Sequence, residues 1–318
     1  MTTYKLKQRE LQTAKLHDTH AELFNFDSGD GNYGKYKSLK FILVDGANNL
    51  YGNIVNGVYN YFTENNIAWW GDNKTYPTGH LLSSQIQCIN FLFALRNDKE
   101  AILKIAQLFD ESIEDIHSVI GDKDNGYIAF EFAYNNATFL GEIDTNAKRG
   151  EFCTSIDAII IGLKQGKKIL IPIEWKFTEE YLKCENKALE PRKGKTRQSR
   201  YNNLITKSNQ LKTPQNFEES VYYYEPFYEL MRQTLLVEQM VVNGIADDYL
   251  HIVVIPSENK DILEANYTFS KHDLQTTWRN SIINQKKFKI IDSIQLLQII
   301  MSLSNYSDLA TYLKQRYY

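Results

Sequence analysis

The stretch TSIDAIIIGLKQGKKILIPIEWKF, residues 154–177, contains two apolar runs separated by a short polar turn. Apolar runs of this length, bounded by turn residues, are typical of buried strands. The turn KQGK is short enough to join two antiparallel neighbours. The sequence therefore predicts a pair of adjacent strands over 154–163 and 167–177.

Two flanking segments extend this pair into a larger sheet. Upstream, YIAFEFAY (127–134) alternates and is rich in aromatic residues, which predicts another strand. Downstream, a long helix over 223–244 ends at Gly244 and is followed by the strand-like segment DYLHIVVIPSE (248–258). Three consecutive strands predict an antiparallel meander, and the strand–helix–strand connection adds a fourth, parallel strand. We expect an α/β fold with a central mixed sheet of four or more strands, flanked by helices.

The remaining segments predict mainly helices and loops within a single domain, 1–318. Predicted helices cover 1–24, 47–66, 81–98 (capped by Ser83 or Ser84), 99–109, about 112–120, 178–190 and the tail 272–316. Predicted loops include 26–38 and the segment IAWWGDNKTYPTGH, which carries two tryptophans. We expect a core at about 81–258, with helical N-terminal (1–80) and C-terminal (270–318) regions.

Composition narrows the class of protein. The net charge is −3, so a basic nucleic-acid surface must be local. Three cysteines without a C-x-x-C pair argue against a disulfide framework or a structural zinc site. No secretory signal and no apolar run long enough to span a bilayer is visible, which predicts a cytoplasmic protein with no membrane partner.

Charged residues interrupt the apolar runs of the two central strands. Asp157 lies within IDAIII, and Glu174 and Lys176 follow ILIPI. Residues two apart on a strand share a face, so Glu174 and Lys176 point one way and Trp175 the other. An antiparallel pairing can place Asp157 opposite that face, where three charges carry a high desolvation cost unless they are paired or bind an ion.

A divalent cation resolves this cost. Two carboxylates suit Mg²⁺, with Mn²⁺ as a substitute, and Mg²⁺ commonly binds phosphate oxygen as well. Such an ion polarises a phosphoryl group, and Lys176 can position the attacking water or neutralise charge developing on phosphorus. The residues thus indicate phosphodiester hydrolysis, with Asp157, Glu174 and Lys176 catalytic and the two acids as metal ligands.

The order of the segments SSQ, TSIDA and IEWKFTE resembles the PD-(D/E)XK nuclease superfamily, and within it the bacterial PGN_0703-like group. Further similar segments are NLYGNI, IAWW, PTGHLLSSQIQCINFLFAL and YEPFYELMRQTLL, so that the resemblance spans roughly residues 50–240. It implies a restriction-endonuclease-like core and a Mg²⁺-dependent nuclease with Asp157, Glu174 and Lys176 in its motif. The proline that precedes the first acid in the family is replaced here by Ile156. Cleavage of DNA by an endonuclease, in restriction or phage defence, is the function expected by analogy.

Other residues are candidates for the same site. Many relatives carry an additional upstream acid, and we expect Glu142 to fill that place. Glu131 is a second candidate, for which an outward-facing strand residue is the alternative. Gln85, at the start of a predicted helix, is a candidate for contacting the scissile phosphate or a water, and Ser84 for contacting nucleic acid. Helix capping is the alternative role for the residues at this helix start.

A basic segment is the candidate nucleic-acid surface. Residues 191–212 hold seven Lys and Arg residues and no acid, and such residues dominate contacts with the phosphate backbone. We expect Arg197, Arg200 and Tyr201 to contact nucleic acid, together with Arg232 and Gln233 from the long helix. A solvated loop and a salt-bridged arginine are the alternatives.

Two other functions stay open at this point. One is a catalytically silent nucleic-acid-binding protein on a nuclease scaffold, and the other is a structural ion network in an interaction protein. RNA stays an alternative to DNA, and endonuclease and exonuclease action are not distinguished. A symmetric double-strand cutter would be a homodimer.

Overall fold

The computed structural model describes residues 3–121, 123, 125–142, 148–150, 153–181 and 183–318. Its strands are β1 Gly31–Tyr33, β2 Tyr36–Leu39, β3 Asp115–His117, β4 Ile128–Phe132, β5 Ile156–Lys164, β6 Lys167–Trp175, β7 Asp248–Tyr249, β8 His251–Val254 and β9 Phe288–Ile291. Its helices are α1 Tyr4–Ala14, α2 Val55–Glu64, α3 Ser84–Leu92, α4 Lys99–Phe109, α5 Asn136–Leu140, α6 Lys193–Lys207, α7 Phe227–Val242, α8 Lys260–Leu263, α9 Leu274–Ser281, α10 Ser293–Met301 and α11 Ser307–Tyr317.

The β5–β6 hairpin is the centre of the sheet. Its loop consists of Gln165 and Gly166, both with positive φ, the backbone conformation of a tight turn that matches the twist of its strands. Pairing continues from Lys164 opposite Lys167 to Ala158 opposite Ile173 without a register shift. This short loop therefore fixes which residues of the two strands face each other.

The hairpin is extended on both sides into a mixed sheet. β3 and β4 pair antiparallel with β5, β7 and β8 pair parallel with β6, and β9 pairs parallel with β8. The buried helix α7 makes the crossover between β6 and the parallel strands. The predicted α/β fold, with its meander and its parallel crossover strand, is confirmed.

Each face of the sheet packs against helices. Alternate residues of β5 and β6, among them Ile160, Ile171 and Trp175, enter a core with α3, α4, α10 and α11. Ile159 and Leu170 point to the other face, into a core with α7 and α9. Both strands are therefore apolar on both faces, and polar residues appear only near the strand ends.

Several predicted elements differ from those observed. Residues 112–120 contain the strand β3 and no helix. The buried residues Ile113, Ile116 and Val119 are three positions apart, a spacing that also suits a helix, so the pattern alone does not distinguish the two. The described part of 178–190 is not helical; there the Lys187 N–H donates to the Tyr223 carbonyl, 2.8 Å away, instead of to its own segment.

The terminal regions are also less uniformly helical than expected. The N-terminal region includes the β1–β2 hairpin, and the C-terminal region contributes β9 to the central sheet. The basic segment 191–212 contains the helix α6. The division into a core and two helical extensions stays a prediction.

In the described part of the chain, no helix combines the length and apolarity that crossing a membrane requires.

Candidate active site

Asp157 and Glu174 face each other at the open end of the β5–β6 hairpin. Ala158 pairs with Ile173, so the next residues outward are opposite and project from the same face, towards α7. The Trp175 N–H donates to the Asp157 carboxylate at 2.7 Å. Both acids line one cavity of about 370 Å³.

Glu131 adds a third carboxylate to this row. Phe130 pairs with Ala158 and Phe132 with Ile156, so Glu131 lies opposite Asp157 on the neighbouring strand. Its side chain is buried and lines the same cavity, so Glu131 does not have the outward-facing orientation that was the alternative for this candidate. Its φ of 45° is unusual for a residue other than glycine.

Lys176 lies between two acids. Its Nζ is 2.5 Å from the Glu174 Oε1 and 2.5 Å from the Glu229 Oε2, and the lysine itself is buried. Glu229 belongs to the first turn of α7 and was missing from the sequence-based candidates. It precedes Gln233 by four residues, so both project from one side of the helix, and that spacing was the available signal.

Gln233 holds Glu174 in position. Its side-chain amide donates to the Glu174 carboxylate and to the Ser155 carbonyl, at 3.0 Å in the second case. The amide oxygen is 3.0 Å from a ring nitrogen of His251. Because Gln233 is buried, these contacts favour a positioning role over the predicted nucleic-acid contact.

Arg232, by contrast, reaches the cavity lining. It is half-buried, and its Nη1 donates to the Thr154 hydroxyl at 3.3 Å. Its guanidinium lies 4.7 Å from the centre of the Tyr228 ring, within the range of a cation–π contact. The predicted contact of Arg232 with nucleic acid is compatible with this placement.

Burial and mutual repulsion shift the ionisation of the acids. Burial raises the pKa of Asp157 well above its usual value, and the Glu174 charge adds to the effect. Burial also raises the pKa of Glu174 to about 7, although the Lys176 charge opposes this rise. Burial raises the pKa of Glu131 to about 7 as well, although the hydrogen bond from Gln85 opposes it. The surroundings therefore disfavour the ionised forms of the three acids, and a bound cation would stabilise them.

Lys176 and Glu229 keep opposite charges. Burial alone would lower the pKa of Lys176, but Glu174 and Glu229 outweigh it and raise the pKa well above the usual value. Burial likewise opposes ionisation of Glu229, yet Lys176 lowers the pKa of this acid. Lys176 is therefore a permanent cation at neutral pH.

Glu142 lies outside the cavity lining, which corrects its expected place beside the metal. Its carboxylate accepts hydrogen bonds from the Asn136 amide at 2.9 Å, the Thr154 N–H at 2.7 Å and the Tyr201 hydroxyl at 2.7 Å, and also from the Thr154 hydroxyl. Tyr201 is fully buried, so the expected nucleic-acid contact of this residue is corrected as well. These groups form a closed structural cluster beside the start of β5.

Ser83, Ser84 and Gln85 begin α3 with separate roles. The Ser83 hydroxyl caps the helix by accepting from the Ile86 N–H, and Ser84 lines the cavity. The Gln85 amide donates to Glu131 Oε1 at 2.6 Å, and its oxygen accepts from the Trp70 N–H at 2.8 Å. Both ends of Gln85 are engaged, which indicates a supporting role in place of the predicted contact with phosphate.

The predicted basic surface is partly neutralised. Arg197 lies 2.5 Å from the Glu190 carboxylate and donates to the Lys187 carbonyl at 3.0 Å. Arg200 is half-buried, with its guanidinium 5.9 Å from the centre of the Tyr201 ring. Lys193 and Lys195 are exposed on the same helix. Of the three residues predicted to contact nucleic acid from this segment, Arg200 stays the best placed.

The donor set suits a hard divalent cation with a partial hydration shell. Asp157 and Glu174 offer carboxylate oxygens, the ligands that Mg²⁺ prefers, and Mg²⁺ commonly retains several waters. Among the described residues, no group of three or more His, Cys, Asp and Glu side chains is arranged to hold a metal by itself.

A mixed sheet flanked by helices, with the connections described above, is consistent with a restriction-endonuclease-like fold. Residues 12–318 match the family described as "Restriction Endonuclease associating with ARP", and the chain belongs to this family. Membership supports a nuclease related to restriction endonucleases, while placement in the PD-(D/E)XK superfamily and its PGN_0703-like group stays a prediction. No curated protein and no solved structure matches the chain.

Proposed function

We propose that this protein is a Mg²⁺-dependent endonuclease that cleaves DNA at a D…ExK site formed by Asp157, Glu174 and Lys176. One observation carries the proposal: the hairpin register puts the two acids opposite each other on one face, where Lys176 contacts Glu174. The family supports DNA as the substrate, since restriction endonucleases act on DNA and typically use divalent metals.

Asp157 and Glu174 would hold the Mg²⁺, with Mn²⁺ as a substitute. When bound, the ion would polarise the phosphodiester and make deprotonation of an attacking water easier. The Trp175 N–H orients Asp157, and Gln233 orients Glu174. Such hydrogen bonds to the ligands fix them in place and commonly tune metal affinity.

Lys176 supplies the fixed positive charge of the site. It stays protonated between Glu174 and Glu229, so it can stabilise negative charge that develops on the phosphoryl oxygens. Glu229 limits its freedom to move, which keeps the ammonium group directed at the cavity.

DNA binding is proposed to involve residues around the cavity. Ser84 and Arg232 line it, and Arg200 lies on the basic helix α6. An Arg200→Ala variant should reduce the dependence of DNA affinity on salt by about one unit of the log–log slope. An unchanged slope would show that Arg200 does not contact DNA.

A homodimer and a cytoplasmic location stay predictions.

The decisive experiment compares plasmid cleavage by the wild-type protein and by Asp157→Asn. The wild type should nick or linearise supercoiled plasmid in Mg²⁺ or Mn²⁺ but not in EDTA. Asp157→Asn should lose this activity while keeping its circular dichroism spectrum. Asp18→Asn, at an exposed aspartate near the N-terminus, is the matched control and should cleave normally.

DNA binding without cleavage in any divalent metal would favour a catalytically silent binding protein instead. Full metal-dependent activity in Asp157→Asn would show that the proposed site is wrong.

A further inference from the structure

The loop that follows α2 presents an exposed tryptophan beside the candidate active site. All four tryptophans lie in the described part of the chain. Trp69, Trp175 and Trp278 are at most 2% exposed, whereas Trp70 is 43% exposed. Trp70 also lines the cavity that contains Asp157 and Glu174. A large aromatic ring is thus held in contact with solvent at the place where a substrate would enter.

The ring of Trp70 is fixed by its neighbours. Tyr33 stacks on it with ring centres 5.6 Å apart and planes inclined by 23°, and His80 packs edge-on against both rings. The backbone N–H of Trp70 donates to the Gln85 side-chain oxygen, and the Gln85 amide also donates to Glu131. The backbone that carries the Trp70 ring is therefore connected by hydrogen bonds to the row of acids.

The neighbouring residues show that the Trp70 ring is not part of the hydrophobic core. Trp69 stacks on Phe62 at 4.0 Å between ring centres and fills the interior. Gly71 follows with a φ of 114°, a backbone conformation that other residues rarely adopt. The chain turns sharply after Trp70, and its indole stays outside while its neighbour is buried.

The chemistry of the cluster suits a nucleobase. The cavity itself is acidic, while Tyr33, Trp70 and His80 provide uncharged rings. Burial, with a smaller effect of Lys5, lowers the pKa of His80 to about 4, so its ring is neutral at pH 7 and does not act as a phosphate-binding cation. Aromatic side chains bind bases by stacking, and the faces of paired bases inside a duplex are already covered.

We propose that Trp70, supported by Tyr33 and His80, is a stacking site for an unpaired nucleobase next to the scissile phosphate. The inference rests on the proposed nuclease function and specifies its substrate class. The enzyme acts where a strand is single-stranded or where a base leaves the stack.

The first test measures binding without cleavage. Titrating Asp157→Asn, in EDTA, with a short oligothymidylate should quench tryptophan fluorescence, because Trp70 is the exposed fluorophore. A duplex of equal length should quench less. Anisotropy with a labelled oligonucleotide should show binding at least about fivefold weaker in Asp157→Asn with Trp70→Ala. Trp70→Phe should retain most of the affinity without the quenching, and Phe26→Ala, at a strongly exposed ring elsewhere, should match the parent protein.

The second test measures cleavage in the otherwise wild-type protein. Trp70→Ala should slow cleavage of single-stranded or bubble-containing DNA more than it slows any cleavage of a fully paired duplex. Equal affinity for single strands with and without the Trp70 ring would overturn the inference, even if metal-dependent cleavage persisted. Quenching that requires Trp70 in a protein that never cleaves DNA would support the stacking site and contradict the nuclease function alone.

Discussion

Glu174 and Glu142 are both buried acids close to the start of β5, yet their surroundings differ. Glu174 lines the cavity, contacts Lys176 and is repelled by the nearby Glu229 charge. Glu142 is shut away from the cavity and accepts hydrogen bonds from the uncharged groups of Asn136, Thr154 and Tyr201. Burial of an acid is therefore a poor guide to membership of the proposed site, and access to the cavity distinguishes the two.

Activity should separate the two acids most strongly. Glu174→Gln removes a proposed metal ligand, and the loss of several kcal/mol of transition-state stabilisation predicts cleavage at least about a hundredfold slower. Glu142→Gln should cleave at a rate close to that of the wild type once the folded fraction is matched. Initial rates of plasmid nicking in Mg²⁺ provide the measurement. Equal losses in both variants would erase the distinction.

Substitution of Glu142 should reduce the stability of the fold more than substitution of Glu174, the reverse of the order expected for activity. Glu142→Ala leaves buried donors of Asn136, Thr154 and Tyr201 without their acceptor, which should lower the free energy of unfolding by about 2–3 kcal/mol. Glu174→Gln removes a buried charge whose desolvation cost is not fully offset by the ion pair with Lys176, and Lys176 keeps Glu229 as a partner, so this variant should be neutral or stabilising without metal. Urea denaturation in EDTA tests this, and a strongly destabilised Glu174→Gln would contradict it.

Gln233, on α7, allows a further comparison of the surroundings of Glu174 and Glu142. Gln233→Leu removes the hydrogen bond that orients Glu174 and should weaken Mg²⁺ binding by roughly tenfold to a hundredfold. Calorimetric titration with Mg²⁺ measures the affinity. Tyr201→Phe, which removes the matching hydroxyl from Glu142, is the control and should bind Mg²⁺ normally. Unaltered affinity in Gln233→Leu would exclude the positioning role.

The last expected effect concerns the pH dependence of stability. Folding raises the pKa of Glu174 from 4.5 to about 7, so between these pH values the folded state binds more protons than the unfolded state. The free energy of unfolding in EDTA should therefore fall as pH rises from about 5 to 7. Glu174→Gln should flatten this slope, although Glu131 contributes to it too. An identical slope in the variant would argue against the shifted pKa of Glu174.

The sequence was most informative where a local pattern determines geometry. The apolar runs and the short turn predicted β5 and β6, and the D…ExK spacing predicted that Asp157, Glu174 and Lys176 would share a face. Glu131 was only a second candidate for the additional acid, because the sequence alone does not show that β4 pairs with β5 in the register that puts Glu131 opposite Asp157. Its inward orientation depends on the tertiary structure around β4.

The errors have a common physical origin. Glu229 joins the site from a helix more than fifty positions away from Lys176, and only the packing of α7 on the sheet brings them together. Glu142 was assigned to the site by the resemblance and Tyr201 by its place in the basic segment, although their side chains bind each other in a separate cluster. Chain order does not reveal which buried polar groups satisfy one another.

The two-residue turn of Gln165 and Gly166 sets the register of β5 and β6, and with it the relative positions of Asp157 and Glu174 at the far end of the hairpin. Nine-residue strands separate it from the acids by about 25 Å. A slip of one residue in either strand would send its acid to the opposite face of the sheet. Two positions at the opposite end of the hairpin from the acids thus determine whether Asp157 and Glu174 can meet at all.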